Sequence, residues 1–134
     1  DRTWGKFSAS ASANYTCQRD RDYSSPHDPE YRNTIPYSPL HSASLIVDLA
    51  YDGWSLCTSW LYTGERFALI SNNRDDLLGA WQTVDLKLNK RFRIRCHSLQ
   101  ATLECNNLGD SRHEVVKRYP MPGRNWKATV QWQF

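Results

Sequence analysis

Histidines, cysteines and serines are the residues in this sequence that could carry out chemistry. The four histidines are His27, His41, His97 and His113, and two of them, His27 and His113, lie on long polar segments that could converge to hold haem or a metal ion. Solvated histidines are the simpler interpretation. A hydrolase using Ser, His and Asn would need one serine that the sequence marks as the nucleophile, and no serine is marked in that way. We therefore predict that the chain is not an enzyme and has no cofactor or metal site.

The cysteines and the charges restrict the remaining classes of protein. Cys17, Cys57, Cys96 and Cys105 lack the close pairing of a zinc site, whereas a disulfide between two of them stays open. The net charge is +3, and lysine and arginine are scattered, so we predict no nucleic-acid partner. No signal peptide precedes Asp1, and we expect a processed chain or a piece of a longer protein.

Strict alternation of apolar and polar residues is the strongest pattern in the sequence. Between Phe7 and Thr16 the odd positions are apolar and the even positions are Ser, Asn or Thr, and residues 126–134 repeat the pattern. A period of two is typical of a strand with one apolar and one polar face. No run approaches the roughly 18 apolar residues of a membrane helix. The pattern predicts an all-β, antiparallel fold with about six strands, at 5–18, 40–51, 54–66, 80–92, 97–107 and 124–134.

The predicted connections alternate between long polar segments and short turns. The long ones span 19–39, 67–79 and 108–123. The short ones are Asp52-Gly53 and the segment from Arg93 to Cys96. Long outer loops and short periplasmic turns are typical of a membrane β-barrel, but six strands are fewer than the roughly eight of the smallest one. Because hydrocarbon does not tolerate open sheet edges, we predict a transmembrane β-barrel segment that belongs to a larger barrel.

Aromatic residues of the predicted apolar faces fall into two groups. Those near the short turns are Phe7, Tyr51, Trp54, Phe92, Trp132 and Phe134. Those near the long segments are Tyr15, Trp60, Tyr62 and Trp126. Aromatic girdles at both interfaces are a feature of membrane barrels. Trp81 departs from the pattern, since its parity places it on the polar face in the absence of a bulge.

A soluble all-β ligand-binding module is the alternative. A β-sandwich or small barrel shows the same alternation, with the aromatics in its core and the polar face in water. The unequal connections and the two aromatic groups favour the membrane.

Several short motifs resemble those of the TonB-dependent outer-membrane receptors. The C-terminal region of that family carries a Glu-x-x-Asn-Leu-aromatic-Asp stretch, a Pro-Gly-Arg turn, a Tyr-x-Gly-x-Arg segment and a Pro-x-x-Pro-x-His segment. The similar segments here are 104–110, 119–125, 62–66 and 36–41. Two positions depart from the family pattern, since Gly109 replaces an aromatic residue and His113 replaces a tyrosine.

The resemblance implies a barrel of about 22 strands around an N-terminal plug, with residues 1–134 supplying the last six. It also implies uptake of a scarce nutrient (an iron complex, haem, cobalamin or a glycan) across the bacterial outer membrane. The sequence holds no plug and no TonB box, so TonB would act through an N-terminal part outside it. The barrel assembly machinery would read the final strand through Trp126, Val130, Trp132 and Phe134, which otherwise serve as a lipid-facing strand.

Two more sets of residues are candidates for contact with a ligand or a partner. The charged residues of the predicted lumen face are Asp48, Asp85, Lys87, Glu104 and Lys127. They either line a substrate path or, more simply, hold the plug and solvate the channel wall. The first long segment carries Tyr23, Tyr31 and Tyr37, which either contact a ligand or a surface lipoprotein or only shield the barrel.

Overall fold

The computed structural model describes residues 2–94 and 97–134 and has an all-β, antiparallel fold, which confirms that part of the prediction. In chain order the strands are β1 (Arg2–Trp4), β2 (Phe7–Cys17), β3 (His41–Tyr51), β4 (Trp54–Thr63), β5 (Arg66–Phe67), β6 (Leu77–Leu78), β7 (Trp81–Ile94), β8 (His97–Asn106), β9 (Glu114–Val116), β10 (Tyr119–Pro120) and β11 (Asn125–Gln133). A 3₁₀ turn spans Arg74–Asp76. Within the described residues no helix is long and apolar enough to cross a membrane.

The main sheet is a meander of seven strands in the order β1-β2-β3-β4-β7-β8-β11. Every adjacent pair is antiparallel, and Tyr51 pairs with Trp54 across the predicted Asp52-Gly53 turn. Both turn residues have positive φ, at 44° and 82°, as expected where a two-residue turn must follow the twist of its strands. Among the described residues β1 and β11 do not pair, so the sheet has two edges and is not a closed barrel.

The ends of several strands differ from the prediction. The first strand was expected to begin at residue 5, but Gly5 has a φ of +60° and forms a turn that brings Trp4 opposite Phe7. This turn adds β1, which the alternation did not reveal. At the same end of the sheet as the Gly5 turn, β7 extends to Ile94 rather than ending at residue 92, and Arg93 pairs with Ser98, so two residues of the predicted turn from Arg93 to Cys96 belong to the strand. Residues 95 and 96 lie outside the described residues.

The three long connections leave the same end of the sheet, and the turns 5–6 and 52–53 lie at the opposite end. We call the long connections L1 (18–40), L2 (64–80) and L3 (107–124). L2 contains the β5–β6 hairpin and L3 contains the β9–β10 hairpin. The third predicted strand, 54–66, ends at Thr63 rather than 66, because the chain leaves the sheet at Gly64 and pairs again inside L2.

The most buried residues lie at the end of the sheet that carries the long connections. Besides Gly64 they are Ala68, Leu78, Cys105, Arg66, Asp76 and Asn107. Four of these six belong to L2, one to L3 and one to the end of β8. The strands themselves therefore do not enclose an apolar core, and the best-packed part of the chain is formed by L1, L2 and L3, which we call the loop layer.

Candidate functional site

The strand register divides the sheet into two continuous faces. Residues directly opposite one another point to the same side of a sheet. The pairs Ala11–Val47, Val47–Thr58 and Thr58–Leu86 therefore trace one face across four strands. This apolar face carries Ala, Val, Leu, Trp and Tyr. The polar face on the other side carries Ser, Thr, Asn, Gln and charged residues.

Apart from Cys105, which is buried at the end of β8, the apolar face is not covered by another layer in the described part of the chain. Trp126, Val130 and Trp132 on β11 are exposed by 62%, 70% and 66%. The chain exposes 10019 Å² in total, against about 7,200 Å² expected for a compact monomer of its 15.6 kDa mass. A soluble sandwich would need a second layer over this face, and the described residues supply none. The excess of roughly 2,800 Å² by that comparison is surface suited to a nonaqueous neighbour or to a partner.

Aromatic side chains lie in rows at the two ends of the apolar face. Phe7, Tyr51 and Trp54 are direct neighbours at the short-turn end, and Tyr15 and Tyr62 lie at the other end. Eight residues separate the two rows on β2 and on β4, which is about 26 Å along a strand. In a membrane barrel whose strands tilt by about 40°, this spacing would give about 20 Å of height, and the rings would add several ångströms at each end. The spacing is thus comparable to the apolar band of such barrels, which is about 25 Å tall.

Lys90 is a cation on the apolar face, and its surroundings show how the face accommodates it. Its Nζ lies 4.7 Å from the ring centroid of Trp54 and 5.8 Å from that of Phe92. The same Nζ donates a hydrogen bond of 3.1 Å to the backbone carbonyl of Asp52, in the short turn. The stem thus covers apolar surface while the ammonium group reaches the end of the sheet.

A row of charged residues crosses the polar face. Asp48, Lys87, Glu104 and Lys127 occupy one line of directly paired positions, with Cys57 between Asp48 and Lys87. The Glu104 carboxylate lies 3.1 Å from the Lys87 Nζ and 3.7 Å from the Lys127 Nζ. Its side chain is 22% exposed, whereas those of the two lysines are more than half exposed. The row can therefore present two ammonium groups, each paired with Glu104 and more than half exposed, to a neighbour on this face.

Asp85, the fifth charged residue of the predicted set, has a local structural role. It lies on the polar face one row away from the others, and its carboxylate accepts a 2.7 Å hydrogen bond from the backbone N–H of Asn107. This contact holds the start of L3 against β7. The Asp85 carboxylate is thus hydrogen-bonded to the backbone where L3 begins, rather than free to bind a ligand.

Trp81 lies on the polar face, as its parity indicated, and no bulge intervenes. It pairs with Thr63 in regular register, and its ring stacks on that of His113, with centroids 4.2 Å apart and planes 19° apart. The His113 Nδ1 donates to the backbone carbonyl of Ser111 at 3.1 Å. His113 is therefore held by L3 and β7, while His27 is exposed in L1. Within residues 2–94 and 97–134 no three His, Cys, Asp or Glu side chains form a cluster that could bind a metal.

Contacts between L1 and L2 hold the first half of the loop layer together. The Asn72 side chain donates to the backbone carbonyl of Thr34 at 2.9 Å and accepts from the Thr34 N–H at 2.7 Å. The Tyr37 N–H donates to the Phe67 carbonyl at 2.7 Å. One amide side chain thus acts like a strand partner for a segment nearly 40 residues away, which fixes L1 on L2.

Two cations join L2 to L3. Arg66 is buried, with 4% of the residue exposed. Its Nη2 donates hydrogen bonds to the backbone carbonyls of Glu114 and Val115 at 2.9 and 3.1 Å. Burial lowers the pKa of Arg66, although an arginine remains charged under ordinary conditions. Lys117 of L3 reaches Asp76 of L2 at 2.5 Å. Because all three long connections are linked, we expect the loop layer to move as one unit.

Asn107 and Gly123 explain the geometry of two of the sequence motifs. Asn107 is buried and has a φ of +53°, and its Nδ2 donates to the carbonyls of Ser111 and Pro122 at 2.9 and 3.2 Å. Its Oδ1 accepts from the Ser111 N–H at 2.9 Å. A Cβ at Gly123 would lie 2.7 Å from the Asp110 carboxylate, which caps the next backbone N–H. The two ends of L3 are thus held together by a few side chains.

No family model matches the chain, and no curated protein matches it either. The contacts of Arg66, Asn107 and Gly123, which lie in the motif segments, are structural contacts within the loop layer. Gly109, one of the two departures from the family pattern, stands in open space, with nothing within 4 Å of a Cβ added there. The other, His113, stacks on Trp81.

The structure brings together only part of the predicted tyrosine set. Tyr23 and Tyr31 meet edge to face at 5.6 Å, and the Arg32 guanidinium lies 5.4 Å from the Tyr31 ring. Tyr37 lies instead at the junction with L2. Of the histidines on strands, His41 shares a 2.8 Å hydrogen bond with the Tyr15 hydroxyl.

The cysteines that the structure describes are free thiols. Cys17 is exposed, Cys57 is half-buried on the polar face and Cys105 is buried. Cys96 lies outside the described residues. The sequence left open whether two cysteines form a disulfide. The three described cysteines form none with one another.

Sequence reasoning missed the buried polar residues that hold the loop layer. Arg66 and Asn107 lie within the motif segments 62–66 and 104–110. A charged or amide residue at a fixed position of a short motif is a signal from which their structural role could have been predicted. Asp76 and Lys117 carry no such signal, because nothing in the sequence relates two loop residues 41 positions apart.

Proposed function

We propose that this chain forms part of the wall and outer loops of a bacterial outer-membrane β-barrel, in a TonB-dependent receptor that takes up a scarce nutrient. The nutrient class is an iron complex, haem, cobalamin or a glycan. The chain has no catalytic task in this proposal. It encloses a ligand path and presents its loop layer at the cell surface.

The observation that carries the proposal is the uncovered apolar face with aromatic rows at both ends. A surface of this size and composition is unfavourable in water, at roughly 25 cal/mol for each Å² of exposed apolar area. A lipid bilayer removes that cost without a second protein layer. The polar face, with its hydroxyls, amides and charged row, then faces a lumen that contains water or a plug.

The open edges of the sheet support a larger barrel. β11 pairs with β8 on one side only, and β2 has a partner on its outer side only from Phe7 to Ala9. Unpaired backbone groups are not tolerated in hydrocarbon, so further strands must pair with both edges. A barrel of about 22 strands around a plug meets this requirement. TonB would then be engaged through the part of the receptor that carries the plug.

β11 has the properties of a substrate for the barrel assembly machinery. Its apolar residues Trp126, Val130 and Trp132 project from one face, and the fully exposed Phe134 follows them. An exposed edge strand can pair with another sheet by β-augmentation. A surface lipoprotein is a further candidate partner, and L1 with its exposed Tyr23 is where we expect it to bind.

Tryptophan quenching in lipid vesicles tests the membrane orientation. The protein that carries this sequence is reconstituted into vesicles that contain lipids brominated near the top of the acyl chains. We expect Trp126→Phe and Trp132→Phe each to remove part of the lipid-quenched emission, because both rings lie at the rims of the apolar face. Trp81→Phe is the matched control and should leave the lipid-quenched emission unchanged, since that ring lies on the polar face.

A soluble all-β binding module gives the opposite results. Such a protein would be monomeric in plain buffer, and brominated lipids would quench none of the three tryptophans. The mass of the detergent-extracted complex tests the family proposal separately. We expect a complex large enough to contain a plug and the remaining strands, and a mass near that of this chain alone would contradict the receptor.

A further inference from the structure

A cavity of about 570 Å³ lies where the tops of β3 and β4 meet L1 and L2. Its wall includes Arg19 and Arg21 from L1, together with Leu40, His41, Tyr62 and Leu77. The cavity thus combines cationic groups with aliphatic and aromatic surface. Neither the charged row of the polar face nor the Trp81–His113 stack belongs to it.

The cavity opens on the apolar side of the sheet. The residues of the main sheet that line it are His41 and Tyr62, and both belong to the apolar face because His41 pairs with Cys17 and Tyr62 pairs with Ala43. Tyr62 is also part of the upper aromatic row, and His41 is hydrogen-bonded to Tyr15 of that row. The cavity therefore lies directly beyond the aromatic row, where a membrane's headgroups begin if the apolar face meets lipid.

The charges of the cavity favour an anion. Arg19 and Arg21 are exposed, and in the described part of the chain neither side chain has an ion-pair partner. Two carboxylates also line the cavity, those of Asp20 and Glu65, and Asp20 accepts a 2.5 Å hydrogen bond from the Ser38 hydroxyl. With Arg66 the wall carries three guanidinium groups against these two carboxylates, which leaves an excess of positive charge. Two unpaired guanidinium groups provide paired N–H donors of the geometry that phosphate oxygens accept.

The apolar part of the wall indicates that the anion is joined to hydrocarbon. Leu40 and Leu77 are both exposed although they are large and aliphatic. A free inorganic anion gains nothing from such surface, whereas a lipid places a phosphate and the start of its acyl chains side by side. Basic residues next to a membrane interface are also attracted to anionic lipid, by about 1 kcal/mol for each residue.

We propose that this cavity binds the phosphate of an anionic lipid in the outer leaflet, with Arg19 and Arg21 as the phosphate ligands and Leu40 and Leu77 in contact with the first acyl carbons. This inference rests on the proposed membrane orientation of the apolar face. It assigns a lipid contact to the outer rim of the barrel rather than to the ligand path.

The test uses the detergent-solubilised full protein and three probes: bisphosphorylated lipid A, the same lipid with its phosphates removed, and inorganic phosphate. We expect saturable binding of the bisphosphorylated lipid and at least tenfold weaker binding of the dephosphorylated one. The double variant Arg19→Gln/Arg21→Gln should weaken binding of the phosphorylated lipid about tenfold to thirtyfold. The double variant Arg91→Gln/Arg93→Gln is the control, because it removes the same charge from a different cavity at the short-turn end.

Each contrary outcome has a distinct meaning. Equal binding of the two lipids, or an unchanged affinity in the Arg19/Arg21 variant, would overturn the lipid site while detergent dependence and tryptophan quenching still support the barrel. Saturation by inorganic phosphate at the same concentration as the lipid would show an anion site and overturn the lipid proposal. A protein that is monomeric in plain buffer would refute the proposed function itself. Folding of both double variants is checked by their tryptophan emission spectra.

Discussion

Replacement of Ala11 by arginine should destabilise the protein strongly, whereas the same replacement of Ser12 should not. Ala11 lies midway between Phe7 and Tyr15 on the apolar face of β2, and Ser12 beside it points to the polar face. Both residues are small and exposed in the described chain. The difference between the two variants therefore reports the surroundings of the two faces and not the size of the new side chain.

The magnitude follows from the position of Ala11. Halfway between the aromatic rows is the midplane of the proposed bilayer, where an arginine on the lipid face of a barrel costs about 2–4 kcal/mol. With 1.36 kcal/mol for each factor of ten, the folding equilibrium constant should fall about 30-fold to 900-fold. The Ser12 variant faces water or plug and should change the free energy of unfolding by less than about 0.5 kcal/mol, as a surface substitution does.

Urea titration of the protein in lipid vesicles, followed by tryptophan emission, measures both variants. Loss of the compact band on an unheated gel provides an independent readout of folding. Ala11→Leu is the second control and should be neutral or stabilising, since it adds apolar surface to an apolar face. Equal unfolding free energies for Ala11→Arg and Ser12→Arg would refute the assignment of the two faces, and a larger loss for Ser12→Arg would reverse it.

Two further predictions concern the loop layer, and each has its control in the chain. Asn107→Ala removes three part-buried hydrogen bonds of a buried side chain and should cost about 2–4 kcal/mol in the urea titration, whereas Asn106→Ala, which removes one exposed bond to Asn125, should cost less than about 1 kcal/mol. Similar losses in both variants would contradict the role of Asn107. Gly64→Ala puts a Cβ 2.9 Å from the backbone carbonyl at the start of β3 and should cost about 1–3 kcal/mol, measured as faster proteolysis of L2. Gly109→Ala meets open space and should be cleaved at the wild-type rate, and equal rates for both glycine variants would show that the close approach is relieved at no cost.

The faces of the sheet could be predicted because they depend on local chemistry. A strand turns each successive side chain to the opposite side, so the parity of Ala11, Trp81 and Lys90 follows from counting along the chain. The structure agrees for all three, including Trp81, which the aromatic pattern alone would have placed on the wrong face. The Asp52-Gly53 turn could also be predicted from the sequence, because the positive φ values of such a turn favour Asp and Gly.

The charged row shows where prediction from the sequence stopped. The parity of Asp48, Lys87, Glu104 and Lys127 placed them on one face but gave no distances between them. Their alignment in a single row depends on the stagger of four strands, and a shift of two residues in one pairing would preserve the faces and separate the charges. Only the register brings the Glu104 carboxylate between two lysines.

From its sequence alone this chain is an all-β protein with one apolar and one polar face, long connections at one end and aromatic residues at both. These properties are local, because alternation, turn residues and segment lengths are each read within a few neighbouring positions. Tertiary structure decided the extra strand β1, the contacts that join L1, L2 and L3, and the cavity that holds Arg19 and Arg21. Each of these joins segments whose pairing depends on how the backbone turns at Gly5 or leaves the sheet at Gly64. Chain positions as distant as Arg66 and Glu114 meet only after the meander has formed.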